Sequence, residues 1–240
     1  MSSDLEKQKG KYYKDILQIL IKNNIHFLIG GGIAVTVHSI VDRPVKDLDV
    51  FIKAGDYPKV LEIFKDNGFK VEIVDDNWLA KIKRGKLYAD LIFSSPNLMT
   101  PVDDSWFENT TTTKIYDTEV KVLPVEELIW CKAYIQKRIW YDGADVNHLI
   151  LSRGKDLNWK HLLMRFESHW ELFFSILLNF RFVYPSERSL IPNWLIEELM
   201  SRLKNQLKNP LPKNKTYRGP LFSRTDYEVD LRNGYELFFK

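Results

Sequence analysis

The chain has 240 residues, of which 45% are hydrophobic and 28% are charged, and its formal net charge is +3 at pH 7. This length allows one large domain or two smaller ones with a substantial core. So small a net charge does not by itself indicate a nucleic-acid-binding protein. The single cysteine, Cys131, excludes an internal disulfide framework and fits a reducing compartment.

Neither a secretory signal nor a membrane span is indicated by the hydropathy of the chain. The first fourteen residues are polar and charged. The longest apolar-rich run, residues 172–180, is about half the length needed to cross a bilayer. These features predict a cytoplasmic protein that does not interact with a membrane.

Helical and strand patterns alternate along the first half of the chain. The predicted helices are Asp4–Asn23, Ile33–Ile40 and Tyr57–Asn67. The predicted strands are Ile25–Ile29, Leu48–Ile52, Phe69–Val74, Leu79–Lys83 and Leu87–Phe93. One or two further strands, with a hairpin around Asp117 as an alternative, are expected over Lys114–Val122.

The pattern becomes helical after Pro124. Helical periodicity covers Val125–Tyr141, Asp145–Leu151, Trp159–Phe166, Trp170–Phe182 and Trp194–Leu207. The predicted fold class is therefore α+β, with a mixed β-sheet flanked by helices and then a helical C-terminal region. We expect one region over residues 1–123 and a second over residues 124–240.

Two aspartates, Asp47 and Asp49, flank the first residue of the predicted strand Leu48–Ile52. Because residues i and i+2 of a strand share a face, their carboxylates should project together. At about 5 Å two such charges repel by roughly 3 kcal/mol at an effective dielectric near 20. A cation relieves this repulsion, and Mg²⁺ suits the position because it binds carboxylate and phosphate oxygens.

A third carboxylate, Asp90, interrupts the otherwise apolar strand Leu87–Phe93. It shares a face with Tyr88 and Ile92, while the alternate residues form an apolar face. This position favours a third metal ligand, or a base that accepts the proton of an attacking hydroxyl. A salt-bridged or strand-end aspartate is the alternative.

A glycine turn, Gly30–Gly32, joins a predicted strand to a predicted helix. Glycine lets the backbone N–H groups and the positive end of a helix approach a phosphate closely. The turn has neither the Walker A nor the dinucleotide-binding pattern. Followed by the Asp-Leu-Asp sequence, it favours metal-assisted transfer at a nucleoside triphosphate.

Three cationic residues are further candidates for phosphate binding. Arg43 and Lys46 lie just before the two aspartates, where they could contact a triphosphate or balance the carboxylate charge. Lys132, on the first predicted helix of the second half, could contact a phosphate or form an ion pair. Asp142 and Asp145 are expected as the N-cap and a first-turn residue of the next helix.

Residues 25–95 resemble the nucleotidyltransferase superfamily related to DNA polymerase β, and most of all its bacterial branches of antibiotic nucleotidyltransferases and abortive-infection-type toxins. The family's Gly-Gly turn is matched by Gly31 and Gly32, with Gly30 and Gly31 as the alternative register. The other matches are Ala34, His38, Arg43, Asp47, Asp49 and, as third acid, Asp90.

The resemblance implies that the protein transfers a nucleoside monophosphate from an NTP, such as ATP, to an acceptor hydroxyl. It implies that residues 1–123 form the catalytic domain and residues 124–240 the substrate-binding region. It implies two Mg²⁺ ions held by Asp47, Asp49 and Asp90. The acceptor stays open between a small molecule, such as an aminoglycoside or lincosamide, and RNA or another protein. The basic run over Ser201–Gly219 favours RNA or a protein, with a solvated helix end and loop as the alternative explanation of the run. A non-catalytic nucleotide-binding protein or toxin–antitoxin-type interaction protein is the alternative.

Overall fold

The computed structural model describes residues 3–238, and these divide into two compact units. The first unit contains the described residues up to Val37 together with Val41–Pro124. The second contains His38–Ile40 and the described residues from Val125 onward. The outer ends of the two predicted functional regions, residues 1–2 and 239–240, lie outside the described residues, and the functional division itself stays a prediction.

The first unit is built on a mixed sheet of seven strands within the described residues, in the order β3-β4-β5-β2-β1-β7-β6. The pairs β2/β5 and β1/β7 are parallel, and the other neighbouring pairs are antiparallel. The strands are β1 Leu28–Ile29, β2 Asp49–Phe51, β3 Lys70–Asp75, β4 Leu79–Arg84, β5 Leu87–Ile92, β6 Thr111–Ile115 and β7 Thr118–Val122. The helices are α1 Ser3–Lys22, α2 Gly31–His38 and α3 Tyr57–Asp66. The predicted α+β class with a mixed sheet is confirmed.

Alternating strand residues give the sheet one apolar face, which forms the core of the first unit. Val50, Ile82 and Leu91 are each at most 1% exposed and belong to one cluster with the apolar side chains of α1 and α3. Tyr12 of α1 ties the helix to this face, since its hydroxyl donates to the Ile82 carbonyl at 2.5 Å. Residues that alternate with these core positions, such as Lys81 and Asp90, are therefore directed to the other face.

The predicted hairpin near the end of the first half is confirmed. Strands β6 and β7 pair with Ile115 opposite Thr118. The two turn residues, Tyr116 and Asp117, both have positive φ, of 48° and 60°. Two residues in this conformation match the twist of the flanking strands, as in a type I′ turn.

The second unit is mainly helical. Its helices are α4 Val125–Ala133, α5 Gly143–Arg153, α6 Trp159–Arg165, α7 Trp170–Val183, α8 Asn193–Gln206 and α9 Glu228–Arg232. Its short strands are β8 Gln136–Lys137, β9 Trp140–Tyr141, β10 Thr216–Tyr217 and β11 Glu236–Leu237. Short 3₁₀ helices in the two units cover Ala54–Asp56, Asp104–Phe107, Glu167–His169, Pro185–Leu190 and Gly219–Leu221.

The predicted helix Val125–Tyr141 is wrong in its second half. Helix α4 ends at Ala133, and the following residues form the antiparallel pair β8/β9 instead. The Asp142 N–H donates to the Ile135 carbonyl at 3.0 Å and extends this pairing. Trp140 and Tyr141 are aromatic residues that favour strands, and a local hairpin replaces the apparent helical period.

No helix among residues 3–238 combines the length and the apolar character that a bilayer crossing requires.

Candidate functional site

Asp49 and Asp90 lie opposite each other on neighbouring parallel strands. They are register partners of β2 and β5, and the Asp90 N–H donates to the Leu48 carbonyl at 2.9 Å. Neighbouring strands are about 4.8 Å apart, so side chains of aligned residues on one face are within contact range. Val50 and Leu91 occupy the opposite, buried face. The sheet therefore brings these two predicted acids together on the face opposite Val50 and Leu91.

The glycine turn lies directly against Asp49. The Gly30 N–H donates to the Asp49 carbonyl at 3.0 Å, and the Ala34 N–H donates to the Gly30 carbonyl at 3.1 Å as α2 begins. Gly31 has φ of +54°, and a Cβ built on it would overlap the Asp49 Oδ2 atom. Only glycine satisfies both the left-handed backbone and this close approach. Gly31 belongs to both possible registers of the Gly-Gly turn, and it is the residue whose backbone contacts the Asp49 carboxylate.

Asp47 lies near the pair, although not for the predicted reason. Strand β2 begins at Asp49, and Asp47 occupies a bend before it, so strand alternation does not place the two side chains together. Asp47 is half-buried, and its charge contributes to raising the pKa of Asp90. All three predicted acids thus belong to one region of the first unit.

Asp90 forms an ion pair that the candidate residues did not include. The Lys81 ammonium lies 2.6 Å from Asp90 Oδ1, and the two residues are register partners of β4 and β5. Burial raises the pKa of Asp90, its bond to Lys81 opposes this, and the charge of Asp47 adds to the rise. The alternative of a salt-bridged aspartate therefore describes Asp90 correctly. Lys81 was detectable only as a charge inside the apolar strand Leu79–Lys83.

The described residues contain no group of three or more His, Cys, Asp or Glu side chains placed to hold a metal ion. The metal-ligand role of Asp47, Asp49 and Asp90 therefore stays a prediction. The donor chemistry fits a hard divalent cation, because Asp49 and Asp90 offer half-buried carboxylate oxygens on adjacent strands.

Arg43 and Lys46 lie in the segment between α2 and β2, which contains no helix or strand. Both side chains are exposed. The segment is anchored to α1, because the Lys9 ammonium donates to the Val45 carbonyl at 2.9 Å. Val45 also packs on the glycine turn, where a Cβ on Gly32 would lie 3.3 Å from Val45 Cγ1. The loop that carries the two cations therefore contacts the turn itself.

Lys132 belongs to the second unit, where it forms a buried ion-pair cluster. Its ammonium lies 2.7 Å from Asp142 and 2.9 Å from Asp145. Burial alone would lower the pKa of Lys132, but the two carboxylates outweigh this and raise it. Asp142 also accepts a hydrogen bond from Trp140 Nε1 at 3.1 Å. This geometry favours the ion pair over a phosphate contact. Asp142 and Asp145 stand at the N-cap and in the first turn of α5, as predicted.

The second unit contains the basic run Ser201–Gly219 and a surface depression with acidic side chains. In the basic run Ser201–Gly219, Arg202 pairs with Glu167 and Glu198, and Arg218 pairs with Glu171. Part of the charge that favoured RNA is thus compensated internally. A shallow surface depression is lined by Leu163, Trp194, Glu197, Glu198 and Ser201. One of its two carboxylates, Glu198, is likewise compensated by Arg202.

No family model matches the chain, and no curated protein matches it in sequence. Several solved structures are similar to the structure of this chain. The lincosamide antibiotic adenylyltransferase LnuA, bound to lincomycin, is 20% identical over 59% of this chain and 94% of its own, with a TM-score of 0.41. ANT(2'')-Ia, in complex with adenylyl-2''-tobramycin, is 17% identical over 68% of this chain and 99% of its own, with a TM-score of 0.46.

A third similar structure extends over nearly the whole chain. JHP933 from Helicobacter pylori is 13% identical over 97% of this chain and 100% of its own, with a TM-score of 0.44. Because all three TM-scores are below 0.5, the function has to be argued from this chain's own residues.

Proposed function

We propose that the protein is a nucleotidyltransferase that transfers a nucleoside monophosphate from an NTP to a hydroxyl group of an acceptor. The main support is a single observation: the Asp49 carboxylate lies against the Gly31 backbone where α2 begins, directly opposite Asp90 on the next strand. A phosphate-binding turn and a pair of acids are thereby neighbours, as this chemistry requires.

The triphosphate would be held at the start of α2. The first N–H groups of a helix have no intrahelical acceptor and carry the positive end of its dipole. Gly31 and Gly32 place no side chain between these groups and an anion. Arg43 and Lys46, on the loop that packs against the turn through Val45, would supply positive charge to the phosphate oxygens.

Asp47 and Asp49 would hold a divalent cation, with Asp90 as the third predicted acid. Mg²⁺ bound there supplies charge neutralisation of the triphosphate and lowers the pKa of the acceptor hydroxyl. Asp90 would accept the hydroxyl proton on Oδ2, since its Oδ1 is bonded to Lys81. The acceptor oxygen forms a bond to the α-phosphorus, the bond from that phosphorus to the bridging oxygen breaks, and pyrophosphate leaves.

The first test is Asp49→Asn, which removes the charge and keeps the shape of the side chain. We expect loss of pyrophosphate release and weaker Mg²⁺ binding without unfolding. Asp66→Asn, at the exposed end of α3, makes the same chemical change away from the turn and should leave both unchanged. Wild-type turnover by the Asp49→Asn variant would contradict the proposal.

A second experiment identifies the substrates. The protein is incubated with each labelled NTP and cell extract, and the labelled molecule is identified by size and by sensitivity to nuclease and protease. Labelling that requires Asp49 supports the proposal and assigns the acceptor class. ATP binding in calorimetry, without pyrophosphate release or labelling with any NTP, would instead support the non-catalytic alternative.

A further inference from the structure

A row of charged residues crosses four adjacent strands at the candidate site. Register pairs join β3 to β4, β4 to β5 and β5 to β2 at matching positions. Aligned residues lie on one face of a sheet, so the charges of this row are neighbours. The row consists of Glu72, Lys81, Asp90 and Asp49.

The ammonium of Lys81 bonds to its neighbour on β5, Asp90, and not to its neighbour on β3. Its register partner on β3, Glu72, binds Lys83 instead. Lys81 bonds to Asp90 at 2.6 Å and lies 4.1 Å from the centroid of the Tyr88 ring. Its side chain is only 23% exposed. A carboxylate and an aromatic face thus hold this cation beside the acids.

We infer that Lys81 takes the place of the second divalent cation, so that the site binds one ion through Asp47 and Asp49. The inference rests on the proposed function and changes the expected stoichiometry from two ions to one. Lys81 is then a positioning residue: its ammonium, in place of a metal ion, holds the Asp90 carboxylate next to the acceptor hydroxyl.

The position of Lys81 supports a single ion. Its ammonium already lies 2.6 Å from Asp90 Oδ1, where a second ion on Asp90 would bind. A second ion on Asp90 would have to displace the ammonium or lie beside it, and like charges at such a distance repel strongly.

The test is the number of Mn²⁺ ions bound per chain, measured by equilibrium titration with paramagnetic detection of free Mn²⁺. Mn²⁺ alone is a suitable probe because it prefers the same oxygen ligands as Mg²⁺. We expect the wild-type protein to bind about one ion, and Asp49→Asn to reduce its affinity at least about tenfold. Lys81→Met, which frees Asp90, should bind about two ions.

Matched variants isolate the role of the charge. Lys83→Met removes the neighbouring lysine on the same face, which pairs with Glu72, and should still bind about one ion. Lys81→Arg keeps the charge and should do the same. In the Lys81→Met background, Asp90→Asn should return the number to about one. Lys81→Gln is the second neutral variant if circular dichroism shows that Lys81→Met does not fold.

Two results would overturn the inference alone: a wild-type protein that binds two ions, or folded neutral Lys81 variants that still bind one. A wild-type protein that binds no Mn²⁺ would contradict the proposed function, and the inference with it. The measurement thus separates an error in the assignment of Lys81 from an error in the assignment of the site.

Discussion

The two units each contain a lysine bonded to aspartate, and the two arrangements differ in burial and in charge balance. In the second unit the Lys132 side chain is 9% exposed, and Asp142 and Asp145 are 11% and 4% exposed. In the first unit Lys81 is 23% exposed and Asp90 is 15% exposed. Lys132 bonds to two acids, whereas Lys81 bonds to one acid that faces another across the sheet.

This difference separates a structural cluster from a candidate site. Both carboxylates at Lys132 are bonded to its ammonium, and Asp142 also accepts a hydrogen bond from Trp140. At Lys81 the ammonium bonds to one carboxylate, and that carboxylate is the register partner of a second acid, Asp49. Neighbouring acids at a partly exposed position are candidates for a functional site, while a buried and bonded cluster holds the fold.

The largest effect on stability is expected for Lys132→Met. The substitution leaves Asp142 and Asp145 buried without their cation, which costs about 3–5 kcal/mol for a buried pair. Urea unfolding followed by circular dichroism measures the change. Lys160→Met, an exposed lysine on α6, is the control and should change stability by less than about 0.5 kcal/mol. Near-equal stabilities of the two variants would show that the cluster does not hold the second unit.

Gly31→Ala tests the close approach of the turn and Asp49. Alanine in the left-handed conformation costs about 1–2 kcal/mol, and its Cβ would also displace the Asp49 carboxylate. Gly85→Ala is matched: its φ is +62°, and a Cβ there would meet no atom within 4 Å. We expect both variants to lose stability in urea, Gly31→Ala the more because of this overlap, and only Gly31→Ala to lose pyrophosphate release. Equal activities would contradict the assigned role of the turn.

The sequence predicted the features that depend on local pattern. The apolar positions Tyr13, Ile16, Leu17 and Leu20 of α1 are buried in the core, and α3 ends close to Gly68, as predicted. Fold class and the proximity of Asp49 and Asp90 followed from strand patterns and the resemblance to a family. These predictions succeed because local alternation and helical spacing decide which side of an element is buried.

The side-chain pairs that depend on strand register and on exact element ends were not predicted. Lys81 meets Asp90 only because β4 and β5 pair in one particular alignment, and a shift of one residue would place Lys81 on the other face. Lys132 meets Asp142 because α4 ends early and β8 and β9 form a hairpin. The sequence analysis identified neither the β4/β5 register nor the β8/β9 hairpin. Without them, an ion-paired lysine and a phosphate-binding lysine look the same in the sequence.

The Lys81–Asp90 pair should contribute much less to stability than the Lys132 cluster. Lys81→Met is expected to cost about 1 kcal/mol, the upper end for partly exposed pairs, because solvent and the neighbouring Lys83 screen the remaining charge. Urea unfolding in parallel with Lys132→Met gives the comparison. A loss as large as that of Lys132→Met would mean that Lys81 is chiefly structural.

The smallest effect is expected from mild alkaline pH on the Lys132 cluster. The pKa of Lys132 is raised above its ordinary value of 10.5, because the two carboxylates outweigh the effect of burial. A raised pKa in the folded state means that the stabilisation is fully present below pH 10.5 and is lost as the pH rises through the folded value. The difference in unfolding free energy between wild type and Lys132→Met should therefore stay constant within about 0.5 kcal/mol from about pH 7 to 9.5.

The same titration extended above about pH 10.5 should show that difference shrink, because the unfolded chain releases the Lys132 proton at a lower pH than the folded state does. The difference in unfolding free energy between wild type and Lys160→Met, measured over the same pH range, gives the pH dependence of an exposed lysine. A difference that falls by more than about 1 kcal/mol below pH 9 would mean that burial outweighs the carboxylates. The cluster would then be an imperfectly compensated charge, and the contrast with the partly exposed pair at Lys81 would lose its physical basis.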